Sequence, residues 1–210
     1  MVDPLSVFRM PPQAKITNRI SSITNSFVGS IIPVVTPTSN DVAEALAVLG
    51  MRPETIECCY CGDTVTEWDH LRPLVVQKRP TGYISEIANL VPSCGKCNQS
   101  KGNKPWQTWI RSTARLSPTT RGVANLTRRI ESIEAFERWR DPTLLDFEQV
   151  VDADLWTRHW DMCSQLHELM RESQATAEQI RSTIAGVALG GLGSPEEAAR
   201  SAGPGLQAPA

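Results

Sequence analysis

The sequence lacks any run approaching ~18 uninterrupted apolar residues, which excludes an ordinary transmembrane helix. Its opening, MVDPLSVFRMPPQ, lacks the apolar stretch of a secretory signal and carries Asp3 and Arg9 early. A cytoplasmic protein without membrane association is expected. It also lacks a charge surplus: the net charge of −2 says nothing by itself about a polyanionic partner. No internal repeat is visible beyond two CxxC pairs.

The distribution of charge is more informative than its sum. Residues 1–69 hold four Lys/Arg against eight Asp/Glu, residues 70–140 thirteen against four, and residues 141–210 four against eleven. A basic centre between acidic ends fits a polyanion site inside a soluble protein, and it equally fits charges on solvated helix faces. The 40% hydrophobic content is enough to build a core in one medium domain, or in a small catalytic domain with helical additions.

Along the chain, Ile16, Ile20, Ile23 and Phe27 recur at helical spacing within 12–29. IIPVV at 31–35 reads as a short extended or linker stretch, since Pro33 blocks a regular helix. TSNDVAEALAVLG reads as a helix capped near Thr38, with Asp41 in its first turn and Gly50 at its end. Helices are also predicted over 106–114, over 117–140 with Val123, Leu126, Ile130, Ile133 and Phe136 on one stripe, and over 152–187 as one segment or two. The apolar face of the last is expected from Leu155, Trp156, Trp160, Leu166, Leu169 and Met170. The Gly/Ala/Pro-rich end is expected to be disordered. The division that follows is 1–50 helical, 51–115 a core, 116–188 helical and 189–210 a tail.

Residues 55–104 differ in character: rich in Cys, Gly, Pro and Asn, they form a loop-rich stretch that needs a staple. Cys58 with Cys61, and Cys94 with Cys97, make two CxxC pairs. Each pair offers two thiolates from one tight turn, and two turns complete a closed tetrahedral zinc site. With no export signal, metal binding is favoured over disulfides. Cys59 cannot keep this spacing with Cys61 and is left out, and Cys163 is read as a buried thiol. Trp68, Trp106 and Trp109 are read as packed core.

Between the pairs run Asp69-His70, Pro73, Pro80-Thr81-Gly82 and Asn89-Leu90; Asn98 follows Cys97, with Lys101 three further on. The order DH…P…G…NL…CxxCNxxK resembles the HNH nuclease motif in its variant with flanking Cys pairs, over residues 58–104. The resemblance implies an α+β protein with a ββα-metal core, two antiparallel strands and a helix around one catalytic metal. It implies His70 as the general base, Asp69 as the preceding metal ligand, Asn89 as the residue holding the loop that orients His70, and Asn98 as the second metal ligand. Asn stands at that last position, so the site is an HNN variant.

The chemistry of the residues agrees. Phosphodiester hydrolysis needs an activated water, a Lewis acid and neutralisation of charge on the leaving oxygen. A neutral imidazole can take a proton from water, and His70 is the one histidine in this stretch. Asp69 and Asn98 offer hard oxygens suited to Mg²⁺ or Mn²⁺, so a structural Zn²⁺ and a catalytic divalent cation are separate ions. Singly, an Asp-His turn, a capping Asn89 and an exposed Asn98 are ordinary; together inside a zinc frame they favour catalysis. Arg72, Lys96, Lys101 and Lys104, with Arg79 behind them, are candidate phosphate contacts, a solvated face being an equally good reading for the lysines. The expectation is an endonuclease for double-stranded DNA in a restriction or other defence role, with a homodimer expected where both strands are cut. The rivals are a non-catalytic zinc module binding nucleic acid and an RNA-cleaving toxin.

Overall fold

A computed structural model describes residues 3–190. The tail expected to be disordered lies, apart from residues 189–190, outside the described residues. The chain divides into two compact units, Ser21–Asp161 and the two flanks up to Ile20 and from Met162. No described helix is long and apolar enough to cross a membrane.

Within Ser21–Asp161 the first helix, α1 (Ile20–Ile31), is preceded by a 3-10 turn at Ile16–Arg19. α2 (Ser39–Val48) starts at Thr38 by the expected device. The Thr38 Oγ1 accepts from the Asp41 amide at 3.2 Å, and the Asp41 carboxylate accepts from the Thr38 amide at 3.0 Å. Two otherwise orphaned amides are thereby satisfied. At the other end Gly50 adopts a φ of +72°, the left-handed conformation that stops a helix.

The centre is β1 (Glu67–His70) paired antiparallel with β4 (Leu90–Ser93), Asp69 opposite Val91 and His70 opposite Leu90. Between them β2 (Val75–Val76) and β3 (Arg79–Pro80) form a hairpin. Its turn residues Gln77 and Lys78 both have positive φ, the twist that two-residue hairpin loops require. β4 runs straight into α3 (Gly95–Lys101), with Cys94 at its N-cap. The inserted segment is stitched down by bridges from Ser85 to Val34 and from Tyr83 to Leu144.

Around this centre, Leu46 from α2 and Leu49 at its C-cap, Trp106, Trp109 and Ile110 from α4 (Trp106–Ile110), and Ile133 and Phe136 from α5 (Leu126–Trp139) form one core with Tyr60, Leu71, Val91 and the clustered cysteines. Trp106 and Trp109 are core, as expected, and Trp68 packs partly buried against it. The Tyr60 ring meets Trp109 edge-on at 5.1 Å, a favoured aromatic geometry.

Two predicted helices are shorter than periodicity suggested. α4 ends at Ile110, and α5 begins at Leu126 rather than near 117. The intervening hydroxyls take over the backbone: Ser117 Oγ donates to Ser112 O at 2.6 Å and Thr119 Oγ1 to Ile110 O at 2.7 Å. Gly122 and Asn125 then adopt positive φ. Side chains that bond nearby carbonyls compete with helix propagation. After α6 (Phe147–Val150), the last helix is a single element, α7 (Ala153–Gly190). Of its expected apolar face, Trp160 is buried, whereas Leu155 and Leu169 are 50% and 57% exposed.

The flanking unit contains the greater part of α7 and the 3-10 turns at Pro4–Ser6 and Ile16–Arg19. The Ile16 amide donates to Gln174 Oε1 at 2.7 Å. Cys163 is buried here, as expected, 3.8 Å from His167 Nε2.

Candidate metal and catalytic site

The two CxxC turns converge. The sulfurs of Cys58, Cys61, Cys94 and Cys97 all lie within 4.8 Å of one another, and Cys61 and Cys94 are 3.7 Å apart. A tetrahedral Zn²⁺ with bonds of about 2.3 Å separates its sulfurs by about 3.8 Å, so the donor set fits this ion. The proton affinities tell the same story. Hydrogen bonding from Cys58 holds Cys61 well below the usual thiol range, while Cys58 is pushed up to about 11 and Cys97 above its ordinary value by the same cluster. Thiols this crowded share protons that a divalent cation would displace. Cys59 lies outside the cluster and is buried, its amide bound to Pro92 O.

Local sequence makes this geometry possible. Gly62 has a φ of +78°, and a Cβ there would lie 2.3 Å from Arg129 Nη2. That guanidinium donates to Glu57 at 3.0 Å and to Cys58 O at 3.3 Å, tying α5 to the first cysteine turn. Arg121 Nη1 sits 3.4 Å from Cys97 Sγ, where a cation partly offsets the charge of the thiolates. Neither arginine was visible as part of the site in the sequence, because each arrives from beyond residue 104.

Asp69 is 4% exposed. Its Oδ2 accepts from Tyr60 Oη at 2.7 Å and lies 3.1 Å from Lys101 Nζ; Oδ1 lies 3.3 Å from the same ammonium. Burial raises the Asp69 pKa, against the pull of Lys101 and Tyr60. Lys101, expected as a phosphate contact, is instead fully buried, donating also to His70 O at 2.7 Å. Its place on the inner face of α3 decides this; at the sequence level it looked like any lysine near a helix end. Oδ1 of Asp69 keeps a lone pair beyond this ion pair.

His70 Nε2 is 2.8 Å from Ser85 Oγ. Burial, aided by the Lys101 charge, lowers its pKa to about 4, so the imidazole is neutral at pH 7. Asn89 is completely buried and pairs with one residue: its Oδ1 accepts from the Arg72 amide at 2.8 Å and its Nδ2 donates to Arg72 O at 3.1 Å. With the Leu71 amide on Asn89 O, this fixes the chain as it leaves β1. Asn98 Nδ2 donates to Glu67 Oε2 at 2.9 Å, leaving its Oδ1 available. Glu67 precedes Asp69 by two on the same strand, the spacing that shares a face. That period was the available signal for it; Ser85 and Tyr60 gave none.

Asp69, His70 and Asn98 line one cleft of about 340 Å³, walled on the far side by Asn25, Val28 and Gly29 of α1. The polar donor set, a carboxylate and an amide oxygen, fits a hard divalent cation. Of the basic candidates, Lys96 and Lys104 are exposed, Lys96 3.4 Å from Asp63 and Lys104 bound to Ser100 O at 2.9 Å. Arg72 is mostly covered, 3.9 Å from Glu137 and above the Tyr83 ring. Arg79 stacks on Trp160 at 4.3 Å.

A pair of antiparallel strands leading into a helix, stapled by four cysteines and presenting Asp-His from the strand and Asn from the helix, defines a ββα-metal core in an α+β protein. Residues 58–104 match the family model described as HNH endonuclease. A stretch of 79 residues is 34% identical to the CRISPR-associated endonuclease Cas9 of Corynebacterium diphtheriae, covering 36% of this chain and 7% of that protein. The likeness thus concerns a small part of a much longer relative. No solved structure matches the chain.

Proposed function

We propose that the protein is a metal-dependent HNH-type endonuclease that hydrolyses phosphodiester bonds in DNA. One observation carries the reading: His70, Asp69 and Asn98 line the same cleft of a four-cysteine-stapled ββα core. His70, neutral at pH 7, takes the proton of the attacking water. Asp69 and Asn98 would hold Mg²⁺ or Mn²⁺, which would supply Lewis-acid chemistry at the phosphate. Asn89 keeps the turn after β1 in place, so that His70 faces the cleft. The exposed lysines Lys96 and Lys104 contact substrate phosphates. Zn²⁺ in the cysteine cluster is structural.

The substrate in this reading is double-stranded DNA, and cutting both strands calls for a homodimer, since one site cuts one strand at a time. A restriction or other defence role in the cytoplasm belongs to this reading by analogy with other small HNH proteins. A zinc module that only binds nucleic acid has no use for a buried neutral histidine beside two oxygen donors.

Plasmid incubated with purified protein and Mg²⁺ or Mn²⁺ is expected to be nicked or cut, and His70→Ala to lose at least ~100-fold in rate. Wild type inert under several divalent metals sinks the nuclease reading. Equal cutting by His70→Ala removes His70 from the role of base.

A further inference from the structure

The hydrogen bond between His70 and Ser85 has a direction that matters. Nε2 of the ring is engaged at 2.8 Å with Ser85 Oγ, so Nδ1 is the nitrogen left to meet water. A neutral imidazole carries one proton on two nitrogens. If the serine hydroxyl donates to Nε2, the proton sits on Nδ1 and the exposed nitrogen accepts nothing. If the hydroxyl accepts from Nε2–H, Nδ1 offers a lone pair.

Resting on the nuclease reading above, we propose that Ser85 is the positioning residue of the site: it accepts from His70 Nε2–H and thereby fixes the tautomer whose Nδ1 is basic. The water O–H bond breaks and an Nδ1–H bond forms, and the imidazolium later releases that proton to solvent. During this transfer Nε2–H becomes a charged donor, and its bond to Ser85 strengthens, because hydrogen bonds from ionised groups are roughly twice as strong as neutral ones.

The fold holds the hydroxyl still. The Ser85 amide donates to Pro33 O at 3.1 Å, and Ser85 O accepts from the Val35 amide at 2.8 Å. Both backbone groups of Ser85 are thus clamped by the extended stretch 33–35, fifty residues earlier in the chain. This gives IIPVV a task that its sequence did not reveal: it forms a parallel bridge to Ser85 and sets the height of the hydroxyl under the histidine.

The test uses the zinc-loaded full chain. The tautomer is read from ¹⁵N shifts of the His70 ring, assigned by comparison with His70→Gln among only three histidines. Wild type is expected predominantly in the Nε2–H form. Ser85→Ala is expected to shift it toward a mixture and to lower kcat by roughly 10- to 100-fold with KM nearly unchanged, the range seen when a partner orienting a functional histidine is removed. Ser85→Thr, which keeps the hydroxyl, is expected to restore both. Zinc content and circular dichroism equal to wild type confirm that Ser85→Ala folds; if it does not fold, Ser85→Cys and Ser85→Thr are compared in the same way. A wild-type ring in the Nδ1–H form, or an alanine variant with unchanged tautomer and kcat, overturns the proposal. The tautomer is measured without any cleavage, so a protein that never cuts DNA but keeps the Nε2–H form refutes the nuclease reading and leaves the Ser85 bond standing.

Discussion

Lys101 and Asp69 show how far a residue's environment governs its meaning. A lysine and an aspartate 32 positions apart meet at 3.1 Å, the lysine fully buried and the aspartate 4% exposed. Removing one partner of a buried ion pair leaves the other charge uncompensated, which typically costs about 3–5 kcal/mol. Lys101→Met is therefore expected to lower unfolding stability by that order in urea denaturation. Asp69→Asn added to it should recover more than half of the loss, because the orphaned charge is gone. A Lys101→Met protein as stable as wild type would show that the pair is solvated. His70, Asn89, Asn98 and the four cysteines were legible in the sequence as a set because their order and spacing are local. Lys101's burial, the Tyr60 bond and Ser85 were not, because each depends on where α3 and the insert come to rest.

The elements show the same division between local and distant causes. The start of α2 was readable because a capping box is written in four consecutive residues, Thr38 to Asp41. What the sequence could not show is that Arg140, just past α5, donates to the same Asp41 carboxylate at 2.8 Å and lies 3.3 Å from Glu44. The Thr38 hydrogen bonds and then Arg140 lower the Asp41 pKa from 3.8 to about 2. A depressed carboxylate contributes stability above its unfolded pKa and loses it as pH falls through the folded value. The melting-temperature gap between wild type and Asp41→Asn is therefore expected to be constant near neutrality and to close between about pH 4 and pH 2. A gap unchanged at pH 2 would remove Asp41 from this role. The overlong readings of α4 and α5 failed for a related reason. Periodicity sees apolar residues, while Ser117 and Thr119 ended the pattern through hydroxyls bonded to Ser112 O and Ile110 O.

For the whole molecule, part of the basic centre noted in the sequence pairs with the acidic start: four of its thirteen Lys/Arg hold five of the eight Asp/Glu before residue 70. Arg129 meets Glu57, Lys96 meets Asp63, Lys101 meets Asp69, and Arg140 meets Asp41 and Glu44. Four of the thirteen positive charges thus close the fold rather than face a ligand. The cysteine cluster is part of the core itself: Cys97 is fully buried together with Trp106, Trp109 and Phe136. A core that contains four converging thiols has no apolar substitute for an ion joining them, so metal binding and folding are expected to be one event. All six tryptophans lie in Ser21–Asp161, and their fluorescence reports on that unit alone. Purified protein is expected to hold about one zinc per chain. A strong chelator should release it together with a red shift of the tryptophan emission in a single transition. Cys97→Ser is expected to carry no zinc and to show the shifted emission from the outset. Emission that stays put while the zinc leaves would mean that packing of the tryptophans, and not the metal, holds the strands and helix of the site together.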